Sequence, residues 1–128
     1  GTIDSVIAHN IVFRNDTKGL YGGQLLLQND TKNNKIEKNI LTASDSRLFI
    51  ANDFTKNDGN KVNYNVYHKE AGLGGLWIWK KNEYDSFGSY QNTTNNDQDS
   101  IYADPMYHDE RTYDFTLDPD SPARPAIR

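Results

Sequence analysis

The chain contains no cysteine, which excludes a disulfide framework, thiolate chemistry and any cysteine-based zinc site. It has no run approaching the roughly 20 apolar residues that cross a bilayer, and no basic-then-apolar signal segment at its start. It also lacks an excess of positive charge. With 14 Lys and Arg against 18 Asp and Glu, the formal net charge is −4, whereas a nucleic-acid partner requires a basic face. The close basic pair Lys80-Lys81 reads as solvated surface. Neither nucleic acid nor membrane is therefore an expected partner.

What is present fits one domain of 128 residues, enough for a single core of ordinary size. The mean hydropathy of −0.87 marks a polar chain. At 12% its aromatic content is too high for a disordered one. Helical periodicity is missing. The pattern is instead an internal repeat of short apolar strands separated by Asn, Asp and Gly.

Two segments, Gln24 to Asn33 and Arg47 to Asn57, match with starts 23 positions apart. A second motif recurs at Ile7 to Phe13, Ile36 to Leu41 and Val62 to Tyr67, with its asparagines at Asn10, Asn39 and Asn65, spaced by 29 and 26. A repeat of this length made of brief strands is one turn of a parallel β-solenoid. The fold class expected is all-β, a short right-handed parallel β-helix with an irregular aromatic-rich end. Leu25, Leu27, Leu48, Ile50, Ile11 and Ile40 are expected to face one stacked core. Asparagine tolerates the left-handed region at corners, and Asn10, Asn39 and Asn65 are expected to stack as an amide ladder along the axis.

The repeat ends near Ala71, giving coils over residues 1–70 and a final coil and cap over 71–128. Gly72-Leu73-Gly74-Gly75 reads as a loop, Asp85 or Ser86 as the start of a short helix, and Thr93 to Asp99 as a polar loop. The last segments are suited to closing an exposed coil.

The order of Asn39-Ile40-Leu41, Tyr64 to Tyr67, Trp77-Ile78-Trp79, Tyr84 to Phe87, Asp99 to Pro105, Tyr113 to Leu117 and Ser121-Pro122-Ala123 resembles the C-terminal region of the pectate-lyase-like superfamily. Its members are right-handed parallel β-helices that include polysaccharide lyases and glycoside hydrolases. The resemblance implies a secreted or cell-surface, carbohydrate-active protein whose partner is a polysaccharide or oligosaccharide. Members are much longer, so it also implies that this chain supplies groove wall and cap and is part of a longer protein. The alternative is a non-catalytic glycan-binding or structural β-helix module. Function still has to be argued from a site.

Side chains from successive coils line up at about 4.8 Å, so carboxylates one or two coils apart bracket the separations used by glycosidases. Asp30 and Asp53, placed at equivalent repeat positions, are the first catalytic candidates, with Asp16 and Asp45 behind them. As turn formers after strands they have a plainer explanation. His68, after strand residue Tyr67, is the third candidate; His9 points outward and His108 lies apart. For lyase chemistry the available cations are Arg14, Arg47 and Lys56, with Arg47 a candidate substrate contact. Trp77, Trp79 and Tyr84 are aromatic candidates for sugar contact, the two tryptophans sharing one side of an extended segment. Their plainer role is packing under the cap. No histidine pair has metal spacing. Calcium is conceivable at Asp97 to Asp99, but the spacing of a calcium loop is absent, and a solvated loop is preferred. A first coil without a neighbour leaves strand edges near Val6, Ile7 and Ile11 open to self-association into a homo-oligomer.

Overall fold

A computed structural model describes residues 1–70 and 72–128; the expected boundary at Ala71 lies outside the described residues. The chain is mostly β, with short strands: β1 (Val6–Ala8), β2 (Ile11–Phe13), β3 (Leu25–Leu26), β4 (Thr31–Lys32), β5 (Lys35–Glu37), β6 (Ile40–Thr42), β7 (Leu48–Ala51), β8 (Asn57–Asp58), β9 (Lys61–Asn63), β10 (Val66–His68), β11 (Leu76–Trp79) and β12 (Asn82–Tyr84). Then come helix α1 (Phe87–Thr94), strands β13 (Ile101–Tyr102), β14 (Tyr107–Asp109) and β15 (Asp114–Leu117), and the terminal helix α2 (Ala123–Ala126).

Up to β11, strands that follow one another in sequence do not pair and strands about one repeat apart pair in parallel; β11-β12 and β14-β15 are antiparallel hairpins. The sheets have the orders β1-β5-β9, β2-β6-β10-β13 and β3-β7-β11-β12, with β4-β8 beside them and a β14-β15 hairpin after them. Ile11 lies against Ile40 and Ile40 against Val66, which are the 29- and 26-residue spacings of the sequence motif.

The other spacing is corrected. Leu25 pairs with Ile50 and Leu26 with Ala51, an offset of 25 rather than 23. The amide of Gln24 donates to both Leu48 O (3.2 Å) and Phe49 O (3.0 Å), so the strand enters in the register that sets Leu25 against Ile50. Consequently Asp30 and Asp53 are not equivalent. Thr31 pairs with Asn57, which sets Lys56 opposite Asp30.

Asn10, Asn39 and Asn65 do form a ladder. Asn39 Oδ1 accepts from the backbone and side-chain amides of Asn10, both at 3.0 Å, and Asn65 Oδ1 accepts likewise from Asn39 at 3.0 and 3.2 Å. The left-handed residue at each corner, however, is the one before the asparagine: His9 (φ 58°), Lys38 (φ 58°) and Tyr64 (φ 57°). Each non-glycine residue held there costs on the order of 1 kcal/mol, offset by the amide bonds that follow it. A second ladder, not singled out in the sequence, runs through Asn34 and Asn60: Asn34 Nδ2 donates to Asn60 Oδ1 at 2.9 Å, and Ser5 N donates to Asn34 Oδ1 at 3.0 Å.

Leu27, Leu48 and Ile50 are buried and Leu25 half-buried, as expected, but Ile11 is 45% exposed. Nor is there one core. Strand alternation sends Leu41 and Tyr67 into the main cluster, with Phe49, Ile50 and Trp77. Ile40 and Val66 face the other side of the same sheet and pack with Ala123, Ile101, Tyr107 and Leu117. The C-terminal segment thus covers the outer face of β2-β6-β10-β13, while α1 covers the main core, with Phe87 and Tyr90 lying 5.3 Å from Trp77. At the opposite end Ile3, Val6 and Leu26 stay exposed.

Gly75 shows how tightly the loop before β11 is held. A Cβ there would lie 2.1 Å from the ring of Phe49, which is fully buried. Gly75→Ala is expected to destabilise the protein by about 1–3 kcal/mol, the usual range for an overpacked core, measured by urea denaturation.

Candidate functional site

The parallel sheet β2-β6-β10 does not stop abruptly at its C-terminal edge. Arg14 N donates to Thr42 O (2.9 Å) and Ala43 N to His68 O (3.0 Å), so the main-chain ladder fixes the residues just beyond three neighbouring strands. Those residues, with the turn at Ser44-Asp45, line a cleft of about 350 Å³ formed by Arg14, Thr17, Ala43, Ser44, Asp45, Lys69 and Glu70.

Arg14 Nη2 forms an ion pair with Glu70 Oε1 and lies 4.0 Å from Glu110 Oε1. Its guanidinium also sits 4.9 Å from the Phe13 ring centroid. Glu110 comes from a different part of the chain, the 3-10 turn Glu110–Thr112 between β14 and β15. The hairpin is brought here by an aromatic trio in which Phe13 and Tyr107 each lie 5.0 Å from Phe115.

The two carboxyls both lie at the Arg14 guanidinium and are shifted in opposite directions. Contact with Glu110 and the Arg14 guanidinium hold Glu70 below the usual carboxylate range. Burial, then the charge of Glu70, push Glu110 above it. Glu110 is therefore the weaker acid of the pair. At 41% and 34% side-chain exposure both reach solvent, as groups meeting a ligand must.

Of the residues singled out in the sequence, His68 ends β10 beside this cleft and its charge contributes slightly to the low pKa of Glu70. Asp45 is on the cleft wall. Asp30 and Asp53 lie elsewhere, exposed in a second groove with Lys56. Asp16 is a loop brace, accepting from Leu20 N and Gly23 N at 2.9 Å each. Arg47 ties down the loop before β11 through Nε to Gly74 O, 2.6 Å.

Trp77 and Trp79 do share one side of β11, but that side is inward. They are 1% and 6% exposed, which removes them as sugar platforms. Trp77 stacks on Tyr90 at 12°, the packing role named as the alternative. Tyr84, half-buried, lies 6.1 Å from the same ring and belongs to that packing too.

Within the segment Asp97 to Asp99, Gln98 and Asp99 are exposed as expected of a solvated loop, but Asp97 is fully buried. Its Oδ2 accepts from Tyr67 Oη (2.7 Å) and Tyr90 Oη (2.8 Å), and its Oδ1 from Ser100 Oγ (2.5 Å) and Asn65 Nδ2 (3.2 Å). All four donors are neutral, and among the described residues no group of three or more His, Asp or Glu side chains is placed to hold a metal ion. Asp97 ends the asparagine ladder through its bond from Asn65.

Arg14, Glu70 and Glu110 are separated by 56 and 40 positions, and only the repeat spacing, read together with a fold-back of the tail, would have joined them. No family model and no solved structure matches the chain. Over 127 residues, 99% of its length, the chain is 75% identical to a Bacillus subtilis (strain 168) protein named "Uncharacterized protein YwoF", of which it spans 27%.

Proposed function

We propose that the chain is part of a right-handed parallel β-helix of a secreted, carbohydrate-acting protein, and that the cleft lined by Arg14 and Glu70, with Glu110 beside Arg14, is where it meets a polysaccharide. The observation that carries this reading is the carboxyl pair of opposed acidity beside a guanidinium on an open cleft. Two titratable groups pushed apart by their surroundings are the usual mark of an acid and its partner. The β-helix is supported by parallel pairing at recurrent offsets of 25 to 29 residues in successive short strands.

In this reading Glu110 carries the proton that a glycosidic oxygen takes up as its bond breaks. Glu70, kept ionised by Arg14, faces the positive charge that develops on the sugar ring. Asp45 on the cleft wall is the carboxylate that receives the proton of the attacking water.

The test is cleavage of a polysaccharide panel by the chain and by the longer Bacillus relative, with reducing ends and the ultraviolet absorbance of unsaturated products both measured. We expect Glu110→Gln to lower hydrolysis by about 10²–10⁴-fold, the usual share of general acid catalysis. Activity should also fall as pH rises through the elevated pKa of Glu110. Unaltered turnover in Glu110→Gln, or absence of any cleavage and binding across the panel in both proteins, would overturn the proposal.

A further inference from the structure

A second groove, of about 460 Å³, lies at the corner beyond β3, β7 and β11 and is lined by Asn29, Asp30, Asp53, Phe54, Thr55, Lys56 and Lys81. Its floor is built on buried amides. The turn carrying Asp53, Phe54, Thr55 and Lys56 is anchored at both ends by Asn52 and Asn57, 0% and 2% exposed. Their side chains are joined by Asn57 Nδ2 to Asn52 Oδ1 at 2.7 Å. Asn52 also fixes the opposite wall: its Oδ1 accepts from Lys80 N (2.9 Å) and its backbone O from Lys81 N (3.0 Å). Lys80 and Lys81 both lie in the left-handed region, at φ 49° and 72°, where glycine or asparagine is the favoured choice for such a hairpin turn. The lysines are held there against their preference by the Asn52 bonds.

Phe54 stands out among the lining residues. It is half-buried, and it belongs to neither of the two apolar clusters of the described residues. An aromatic side chain that faces a polar groove and joins no core offers a flat apolar surface to a ligand. The charges around it balance, Asp30 and Asp53 against Lys56 and Lys81. The Asp30–Lys56 pair, 4.0 Å apart with side chains 54% and 78% exposed, is worth at most about 1 kcal/mol and so leaves both groups free to bond a ligand. The volume falls in the range of small-molecule sites, about 300–1,000 Å³.

We infer that this groove is a binding subsite for a neutral sugar ring, whose apolar face lies on Phe54 while its hydroxyls donate to Asp30 and Asp53 and accept from Lys56, Lys81 and Asn29. The balanced charge favours a neutral pyranose over an acidic one. This site is independent of the Arg14–Glu70–Glu110 cleft and does not require that the protein cleave anything.

The experiment is a ¹⁵N chemical-shift titration of the 128-residue protein with maltotetraose, cellotetraose and xylotetraose, and with trigalacturonate as the charged comparison. We expect saturable shifts at the amides of residues 29, 30, 53–56 and 81 with at least one neutral tetrasaccharide, and at least fivefold weaker binding in Phe54→Ala. Phe54→Leu keeps the apolar bulk but removes the flat ring, so it should show the same loss with an unchanged spectrum elsewhere. The inference fails if none of the neutral sugars gives saturable shifts there, if Phe54→Leu binds as tightly as the parent, or if trigalacturonate binds this groove more tightly than the neutral sugars.

Discussion

Asp97→Ala is expected to destabilise the protein by about 3–5 kcal/mol, read from urea or thermal denaturation. The carboxylate is the common acceptor of four hydrogen bonds, from Tyr67, Tyr90, Ser100 and Asn65, and all five residues are buried. Losing the acceptor strands several donors at once, each worth about 1–3 kcal/mol when left unpaired. Some of that loss is recovered by rotation of the hydroxyls, which keeps the sum below the full tally. Asp97 also sits at φ 55°, a region that alanine tolerates less well than Asp or Asn.

Asp97→Asn separates charge from shape. Burial pushes the Asp97 pKa upward despite the four donors. A group whose pKa is raised by folding contributes stability that is complete below its unfolded value and is lost as pH rises through the folded one. The parent should therefore lose stability relative to Asp97→Asn as pH is raised from the ordinary carboxylate range through the elevated pKa. A stability difference between the two that does not change with pH would show that the carboxyl titrates alike in the folded and unfolded chain.

The position of Asp97 explains why part of this molecule was legible in its sequence and part was not. The strands of β2, β6 and β10 carry the Asn-Ile-Val, Asn-Ile-Leu and Asn-Val-Tyr motif, so their pairing follows from the spacing of Asn10, Asn39 and Asn65. Gln24 defeats the same logic one sheet away. Its amide bridges two carbonyls, and a register set by the backbone in this way leaves no trace in residue type. That two-residue slip made Asp30 and Asp53 look equivalent, yet the structure still brings both to one groove because their turns meet at the same corner.

For the tryptophans, packing and sugar contact are both compatible with the sequence for a different reason. Alternation correctly puts Trp77 and Trp79 on one side of β11, but it carries no information about which side is inward. That choice is made by Tyr67, Phe87 and Tyr90, whose rings surround Trp77 at 5.3–5.6 Å. Glu110 was out of reach for a third reason, because it depends on the tail folding back over β2. Phe13, half-buried beneath Tyr107 and Phe115, is the residue that receives the tail, and nothing in a lone Phe at a strand end announces that.

The asparagine ladder yields an expectation that depends on position rather than on residue type. Asn39→Ala should destabilise the protein by about 2–4 kcal/mol. The side chain is 1% exposed; it accepts two bonds from Asn10 and donates to Ile7 O at 2.9 Å and Asn65 Oδ1 at 3.2 Å. Truncation leaves both sides of the rung unpaired, at about 1–3 kcal/mol for each buried group. Asn65→Ala should be at least as damaging, because Asn65 also joins the ladder to Asp97. Asn10→Ala should cost under about 1 kcal/mol, since Asn10 is exposed and water replaces what is lost. Equal effects at all three positions, or a change at Asn39 below about 1 kcal/mol, would mean that the amides merely line up and that the strands alone hold the stack. The predicted gradient instead makes the ladder a cooperative element, weakest at its open rung and strongest where Asn65 meets the buried carboxylate beneath α1.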